Sequence, residues 1–242
     1  QDPSLESYIS TDAVDQDRYS SPLNKKKILI IEDDSDIRKF LEAELSTFFE
    51  VSSKPDGISG LEQAQSFDAD LIICDVLMPG MNGLEVTRRL KDDFNTSHIP
   101  IILLTAMSTS EDELEGVKSG ADIYITKPFS PKLLIAKVFQ LIEQREKLRN
   151  KFSNDPTMFT PLLCSTELDK KFAYRIKVIM ETELENPDFT IEEFAAKLNL
   201  GRTVFFRKVK GITGYTPNEY MRIFRLKKAV ELLQEGKYNI SE

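Results

Sequence analysis

Histidine occurs once in these 242 residues and cysteine twice, which excludes most imidazole-based catalysis and leaves no cluster of soft metal ligands. Cys74 lies inside an apolar run and Cys164 in an irregular stretch, so both read as reduced, structural thiols rather than a disulfide or a zinc site. Long hydrophobic runs are also missing. The longest are strand-sized, so nothing spans a bilayer, and the first twenty residues lack the basic-then-apolar plan of a secretion signal. A cytoplasmic protein without membrane contact is expected. The chain opens on Gln1 without an initiating Met, which suggests a fragment.

What is present is 40% hydrophobic and 30% charged residues, the balance of a globular chain long enough for two domains. The formal charge of -8 is unevenly spread. Residues 1–24 are acidic, rich in Ser and Asp and without apolar period, and read as a linker or tail. Residues 25–150 remain acidic, whereas residues 202–228 carry eight basic side chains against Glu219 alone. Such a basic concentration behind an acidic domain points to nucleic acid as a second partner.

The stretch Asp70-Leu71-Ile72-Ile73-Cys74-Asp75 organises the first domain. A run apolar on both pleat faces belongs in the middle of a parallel sheet, and it delivers Asp75 to the strand's carboxyl end, where ligands of such sheets bind. Around it the pattern alternates. Strands are expected at Lys25–Ile31, Val51–Lys54, Ile101–Leu104 and Ile123–Ile125. Helices are expected after each: one carrying Ile37, Phe40, Leu41 and Leu45, one over Gly57–Ser66 carrying Ile58 and Leu61, one opened by Asn82 and Glu85, one by a Ser110–Glu113 capping box, and one by Ser130-Pro131. Five βα units make an α/β, doubly wound five-stranded parallel sheet.

The strand ends then collect Glu32, Asp33 and Asp34, Asp75, Thr105, and Lys127-Pro128 on one rim. Crowded carboxylates repel unless a cation holds them, and oxygen-only ligands suit Mg²⁺. An aspartate beside Mg²⁺, a hydroxyl and an ammonium is equipped to accept a phosphoryl group as an acyl phosphate. A single acid at a strand end is ordinarily just solvated; five matching positions on one rim favour chemistry.

From residue 26 to about 146 this order and spacing resembles the receiver domain of two-component response regulators, a flavodoxin-like fold. The resemblance implies Asp75 as phosphoacceptor, Asp33 as direct Mg²⁺ ligand, Glu32 as a ligand through water, and the Leu77 backbone carbonyl as a further ligand. It also implies that Thr105 and Lys127 contact the phosphoryl group, that the bond into Pro128 is cis, and that Tyr124 is an aromatic switch acting with Thr105. An acyl phosphate of this kind hydrolyses itself, so the fragment is a phosphoacceptor rather than an enzyme.

Residues 151–167, with Pro156 and Pro161, read as a linker, and residues 168–242 as an all-α domain. Phe172, Ile176 and Met180 mark a helix stopped at Asn186-Pro187. The box Thr190–Glu193 opens the next, Asn199-Leu200-Gly201 turns the chain, and Arg202–Lys210 forms a basic helix. There Phe205 and Val209 face inward, and Arg202, Thr203, Phe206, Arg207 and Lys210 are expected to face DNA, with Lys208 among the phosphate-neutralising cations. Thr190-Ile191-Glu192-Glu193-Phe194-Ala195 and Lys208-Val209-Lys210-Gly211-Ile212-Thr213-Gly214-Tyr215-Thr216-Pro217 resemble the AraC-type DNA-binding domain, with its helix-turn-helix. The chain stops at Asn239–Glu242, where that family's second helix-turn-helix begins.

A receiver ahead of an AraC-type domain resembles the C-terminal part of Bacteroidetes hybrid sensors, in which a histidine kinase shares the polypeptide and the parent could be anchored in the inner membrane. The expected function is a phosphorylation-controlled DNA-binding transcription regulator whose partners are a histidine kinase, DNA and, through the receiver, a second copy. Two other classes compete. Haloacid-dehalogenase phosphatases need a second Asp two residues after the first, where this chain has Leu77; a phosphorylation-silent scaffold would not need the complete Asp, Thr and Lys set. With half of the AraC-type reading surface, residues 1–242 should bind duplex DNA weakly, with Kd on the order of 10⁻⁴ to 10⁻⁶ M and steep salt dependence. Fluorescence anisotropy against unrelated duplexes at fixed salt checks this, and nanomolar selective binding would contradict it.

Overall fold

The computed structural model describes residues 25–106, 119–154, 164 and 166–234. The expected tail at 1–24, the Ser110–Glu113 capping box, most of the 151–167 linker and the chain's end at Asn239–Glu242 lie outside the described residues. The chain divides into two compact units. The first runs to Leu90 and resumes over Ile99–Ile142; the second comprises Lys91–His98 and the chain from Glu143 onward.

The first unit is a five-stranded, wholly parallel sheet in the order β2-β1-β3-β4-β5. Its strands are β1 (Lys27–Ile31), β2 (Glu50–Lys54), β3 (Leu71–Asp75), β4 (Ile101–Thr105) and β5 (Ile123–Thr126). The central strands β3 and β4 are buried at every position. Their continuous apolar runs fit because helices cover both faces. On one face Ile28, Ile30, Leu71, Ile73, Ile102 and Leu104 pack with Leu41 and Leu45 of α1 (Ser35–Ser46) and Leu134, Val138 and Ile142 of α4 (Pro131–Asn154). On the other, Leu29, Ile31, Ile72, Cys74, Ile101 and Leu103 meet Ala64 of α2 (Gly57–Phe67) and Val86 and Leu90 of α3 (Gly83–Asp92). The order of strands reverses between β1 and β3, so the crevice above their carboxyl ends is the switch point of the sheet.

Two expectations about helix faces are corrected. Phe40 is 45% exposed and Ile58 61% exposed. Helix α1 already presents Leu41 and Leu45 to the sheet, and one turn of helix cannot aim Phe40 and Leu41 at the same strand. Helix α2 seats its small residues, Gly57, Gly60 and Ala64, against the sheet instead, which turns Ile58 outward.

The second unit is helical: α5 (Glu167–Thr182), α6 (Ile191–Lys197), α7 (Arg202–Thr213) and α8 (Pro217–Gln234). Thr166 caps α5, and the Thr190–Glu193 box closes as anticipated, with reciprocal side-chain-to-backbone hydrogen bonds. The Thr216/Glu219 pair opens α8 in the same way. Helix α5 ends at Thr182, ahead of Asn186-Pro187, because the residue before a proline disfavours helix and the chain leaves through a turn in which the Asn186 amide donates to the Glu183 carbonyl. Phe172, Ile176, Phe194, Phe205, Val209, Ile212, Tyr220 and Phe224 form its core, and Phe94 stacks edge-on against Phe172 at 5.4 Å between centroids.

His98 is buried in this unit against Gly211, where a Cβ would stand 2.1 Å from the imidazole Nε2. Its Nδ1 has no hydrogen-bond partner among the described residues. Burial, with Lys208, Arg145, Arg149 and Lys91 adding repulsion, holds its pKa well below the usual value. The unfolded chain therefore takes up this proton first as pH falls, so the folded state loses stability below pH ~6.5 and regains it above. Between pH 6.5 and 5.5 the wild type should lose about 1 kcal/mol more than His98→Met, read from urea midpoints at each pH.

Candidate functional site

Strand β3 ends by presenting Asp75, 5% exposed, at the carboxyl edge of the sheet. An ionised carboxylate that far from water needs compensation. It comes from Lys127, which follows β5: its Nζ lies 2.9 Å from Asp75 Oδ2 and 3.0 Å from Glu32 Oε2. The Lys127–Pro128 peptide is cis. The Lys127 amide donates to the Thr105 carbonyl at 2.7 Å, which ties β5's exit to β4's. Burial works against the Lys127 charge, but hydrogen bonds and attraction from the two carboxylates outweigh it and raise its pKa. Burial, reinforced by Asp75, raises the pKa of Glu32 in spite of the lysine.

Glu32, Asp33 and Asp75 bring one carboxylate oxygen each to within 4.8 Å of one another, a separation at which one cation can be shared. The Leu77 amide lies 3.4 Å from Asp75 Oδ1, and the Leu77 side chain is turned to solvent. Thr105, the last residue of β4, is buried one strand away. Tyr124 pairs with Leu103 across β4 and β5, and its hydroxyl lies 2.9 Å from Ser119 Oγ. Glu32, Asp33, Asp75 and Lys127 thus converge, with Thr105 at the end of the adjacent strand, whereas Asp34 belongs elsewhere. Its carboxylate caps α1 by accepting from the Asp36 and Ile37 amides, which lowers its pKa.

Two participants were not singled out from sequence. Arg38 Nη1 donates to the Glu32 carbonyl at 2.6 Å and the Asp33 carbonyl at 3.1 Å, fixing the acidic turn from behind. Its position one turn into a helix gave no cue. Gly83 starts α3 directly over the Asp75 backbone, and its amide donates to the Val76 carbonyl at 2.9 Å. Cys74, read from sequence as a reduced structural thiol, is free and fully buried, with its pKa pushed far up by burial and Asp75 and Glu32 adding to the effect.

In the second unit Arg202, Thr203, Phe206 and Lys210 are exposed on α7 and Arg207 is half-buried. Arg202 pairs with Glu192 at 3.0 Å. Gly201 provides no side-chain cap for the helix. Lys208 departs from expectation: it is 1% exposed and paired with Asp169 at 2.6 Å, so it offers no charge to a phosphate. It shares the inward face with Phe205 and Val209, neighbours that the helical period places beside it.

The family model described as "Response regulator receiver domain" matches residues 28–139. A histidine kinase, P4 of Formosa agariphila, is 35% identical over 232 residues, 95% of this chain and 17% of that protein. "Probable transcriptional regulator ycf27" of Galdieria sulphuraria is 33% identical over 203 residues, 81% of this chain and 76% of the relative. Response regulator PleD of Caulobacter vibrioides is 41% identical over 116 residues, 48% of this chain and 26% of its own length. The chain therefore spans 17% of the kinase and 26% of PleD. Among solved structures, the chemotaxis protein CheY4 of Vibrio cholerae is 31% identical, covers 48% of this chain and 98% of its own, and has a TM-score of 0.47.

A Cβ on Gly83 would stand 2.1 Å from the Asp75 carbonyl oxygen and 2.8 Å from its carbon, both backbone atoms that cannot yield. Gly83→Ala should cost about 2–3 kcal/mol of unfolding free energy in a urea titration, the upper end of the usual penalty for overpacking.

Proposed function

Because the chain belongs to the response regulators, with residues 28–139 forming the receiver domain of a two-component system, we propose that Asp75 is its phosphoacceptor and that phosphorylation governs a DNA-binding output. The observation that carries this is the Asp75 carboxylate, buried at the sheet's switch point with Oδ2 2.9 Å from Lys127 and the Glu32 and Asp33 carboxylates alongside. A carboxylate oxygen of Asp75 attacks the phosphorus of a phosphohistidine or a small acyl phosphate. The bond to the donor breaks, the donor leaves with the electron pair, and an aspartyl phosphate remains. Lys127, already pointed at Asp75, moves its charge from the carboxylate to the incoming phosphoryl oxygens, and the Thr105 hydroxyl donates to one of them.

The three clustered acids suit Mg²⁺, which supplies charge neutralisation during transfer. Asp33 and Asp75 would ligate it directly, with the Leu77 carbonyl, and Glu32 through a water. Thr105 and Tyr124 are the switch pair. Because Lys127 bridges Glu32 and Asp75, phosphorylation that draws it away changes the pairing at the ends of β1, β3 and β5 together. A phosphoryl group biases such a two-state element by about 1–3 kcal/mol, through its different affinity for the two states.

For the output, the reading is an AraC-type domain using Arg202, Thr203, Phe206, Arg207 and Lys210 on DNA. It is supported by the eight cations of residues 202–228, by the exposure of Arg202, Thr203, Phe206 and Lys210 on α7 and by a relative named as a probable transcriptional regulator. The likeness to a histidine kinase over 95% of this chain supports a hybrid parent in the cytoplasm or on the inner membrane, with its own kinase as phosphodonor.

Incubation with Mg²⁺ and acetyl phosphate should add about 80 Da, one phosphoryl group, to the intact mass by the chemistry of an acyl phosphate. Asp75→Asn should abolish the gain, and Asp33→Asn should slow it and weaken its Mg²⁺ dependence. A gain that survives Asp75→Asn would assign the phosphoryl group elsewhere.

A further inference from the structure

The inward turn of Lys208 leaves a charged residue at the centre of an apolar core, and its surroundings account for every proton it carries. The ammonium donates to Asp169 Oδ1 at 2.6 Å, to Ser97 Oγ at 2.7 Å and to the Phe94 carbonyl at 2.5 Å, and lies 4.6 Å from the centroid of the Phe94 ring. The Ser97 hydroxyl donates a hydrogen bond to Asp169 Oδ1 at 2.8 Å, which closes a triangle. Asp169 has no exposed surface, and its position in the first turn of α5 is held by its amide's bond to Thr166 Oγ1.

Such a pair is a poor way to gain stability, because desolvation of two charges offsets most of their attraction and apolar replacements of similar volume are often as good. What it does give is direction. Apolar contacts tolerate small slides and rotations, whereas an ammonium with three fixed acceptors does not. At about 100° per residue, Arg202, Thr203, Phe206, Arg207 and Lys210 span about 140° of the α7 surface, centred almost opposite Lys208.

We propose that Lys208 is a positioning residue: its bonds to Asp169, Ser97 and Phe94 fix the rotation of α7 about its own axis, so that the five outward residues face DNA as one set. The inference rests on the DNA-binding reading of α7 for its purpose, though the lock itself can be tested without DNA. It separates two roles among the helix's cations. Arg202, Arg207 and Lys210 touch phosphate or base edges, and Lys208 touches neither.

The test uses the full chain. Lys208→Met alone strands the buried Asp169 carboxylate and should shift the unfolding equilibrium at least 100-fold toward the unfolded state. The triple variant Lys208→Met, Asp169→Leu, Ser97→Ala removes the charges together and should return to within about tenfold of the parent. Its α7 amides should nevertheless exchange with deuterium at least tenfold faster than the parent's, while those of α8 keep the parental rate. With a mixed-sequence 20-base-pair duplex as probe, the slope of log affinity against log salt should fall by about one phosphate contact or more. A triple variant with parental exchange in α7 would reduce the cluster to core filling and overturn the proposal, as would a Lys208→Met variant of parental stability. Failure of the parent to bind duplex DNA at low salt would remove the DNA reading, and the exchange comparison would still decide whether Lys208 holds the helix.

Discussion

A carboxylate at the end of a fully buried strand is the constraint around which the first unit is arranged. Nothing in β3 can solvate Asp75, since Leu71, Ile72, Ile73 and Cys74 are all inaccessible to water. The charge is held by Lys127, delivered from two strands away, and the second acid at the end of β1 shares that lysine. The strand order follows from the same need, because only a parallel sheet puts the carboxyl ends of β1, β3, β4 and β5 on one edge. The apolar run that made the strand conspicuous and the reactivity ascribed to its last residue thus have one cause.

Much of this was legible in the sequence, for physical reasons that can be named. Buried parallel strands are continuous apolar runs, so Leu71–Cys74 and Ile101–Leu104 stood out without any period to measure. The rim acids, Thr105 and Lys127 could be placed on one edge because each closes or follows an expected strand. Helix faces were harder to read. Phe40 and Ile58 are apolar at helical spacing yet exposed, because Leu41 and the small residues of α2 took the contact surface. Lys208 was misread for a related reason. Charge argues for the surface, and only the fold shows that Asp169, thirty-nine positions earlier, waits inside with Ser97 to receive it.

The two units handle buried charge differently. In the first, Lys127 is shared between two carboxylates at the sheet's edge, where one incoming group can redistribute the bonds. In the second, all three protons of Lys208 are committed and the cluster is sealed. The first arrangement suits a site that must change state, and the second suits one that must hold a surface still. His98, packed against Gly211 of α7 and with its pKa held down by burial and then by its cationic neighbours, belongs to the sealed kind.

Cys74 stands one residue from the acid proposed to accept the phosphoryl group, and thiolates are ordinarily better nucleophiles than carboxylates. Here the thiol faces the opposite side of the strand from Asp75, among Leu29, Ile31 and Leu103, and burial, with the neighbouring acids adding to it, discourages its ionisation. A sulfur that cannot shed its proton competes neither for electrophilic phosphorus nor for oxidants. If Asp75 accepts the phosphoryl group as proposed, the alternation of the pleat works as chemoselectivity, reserving reaction for oxygen while the more reactive element sits within one residue of it.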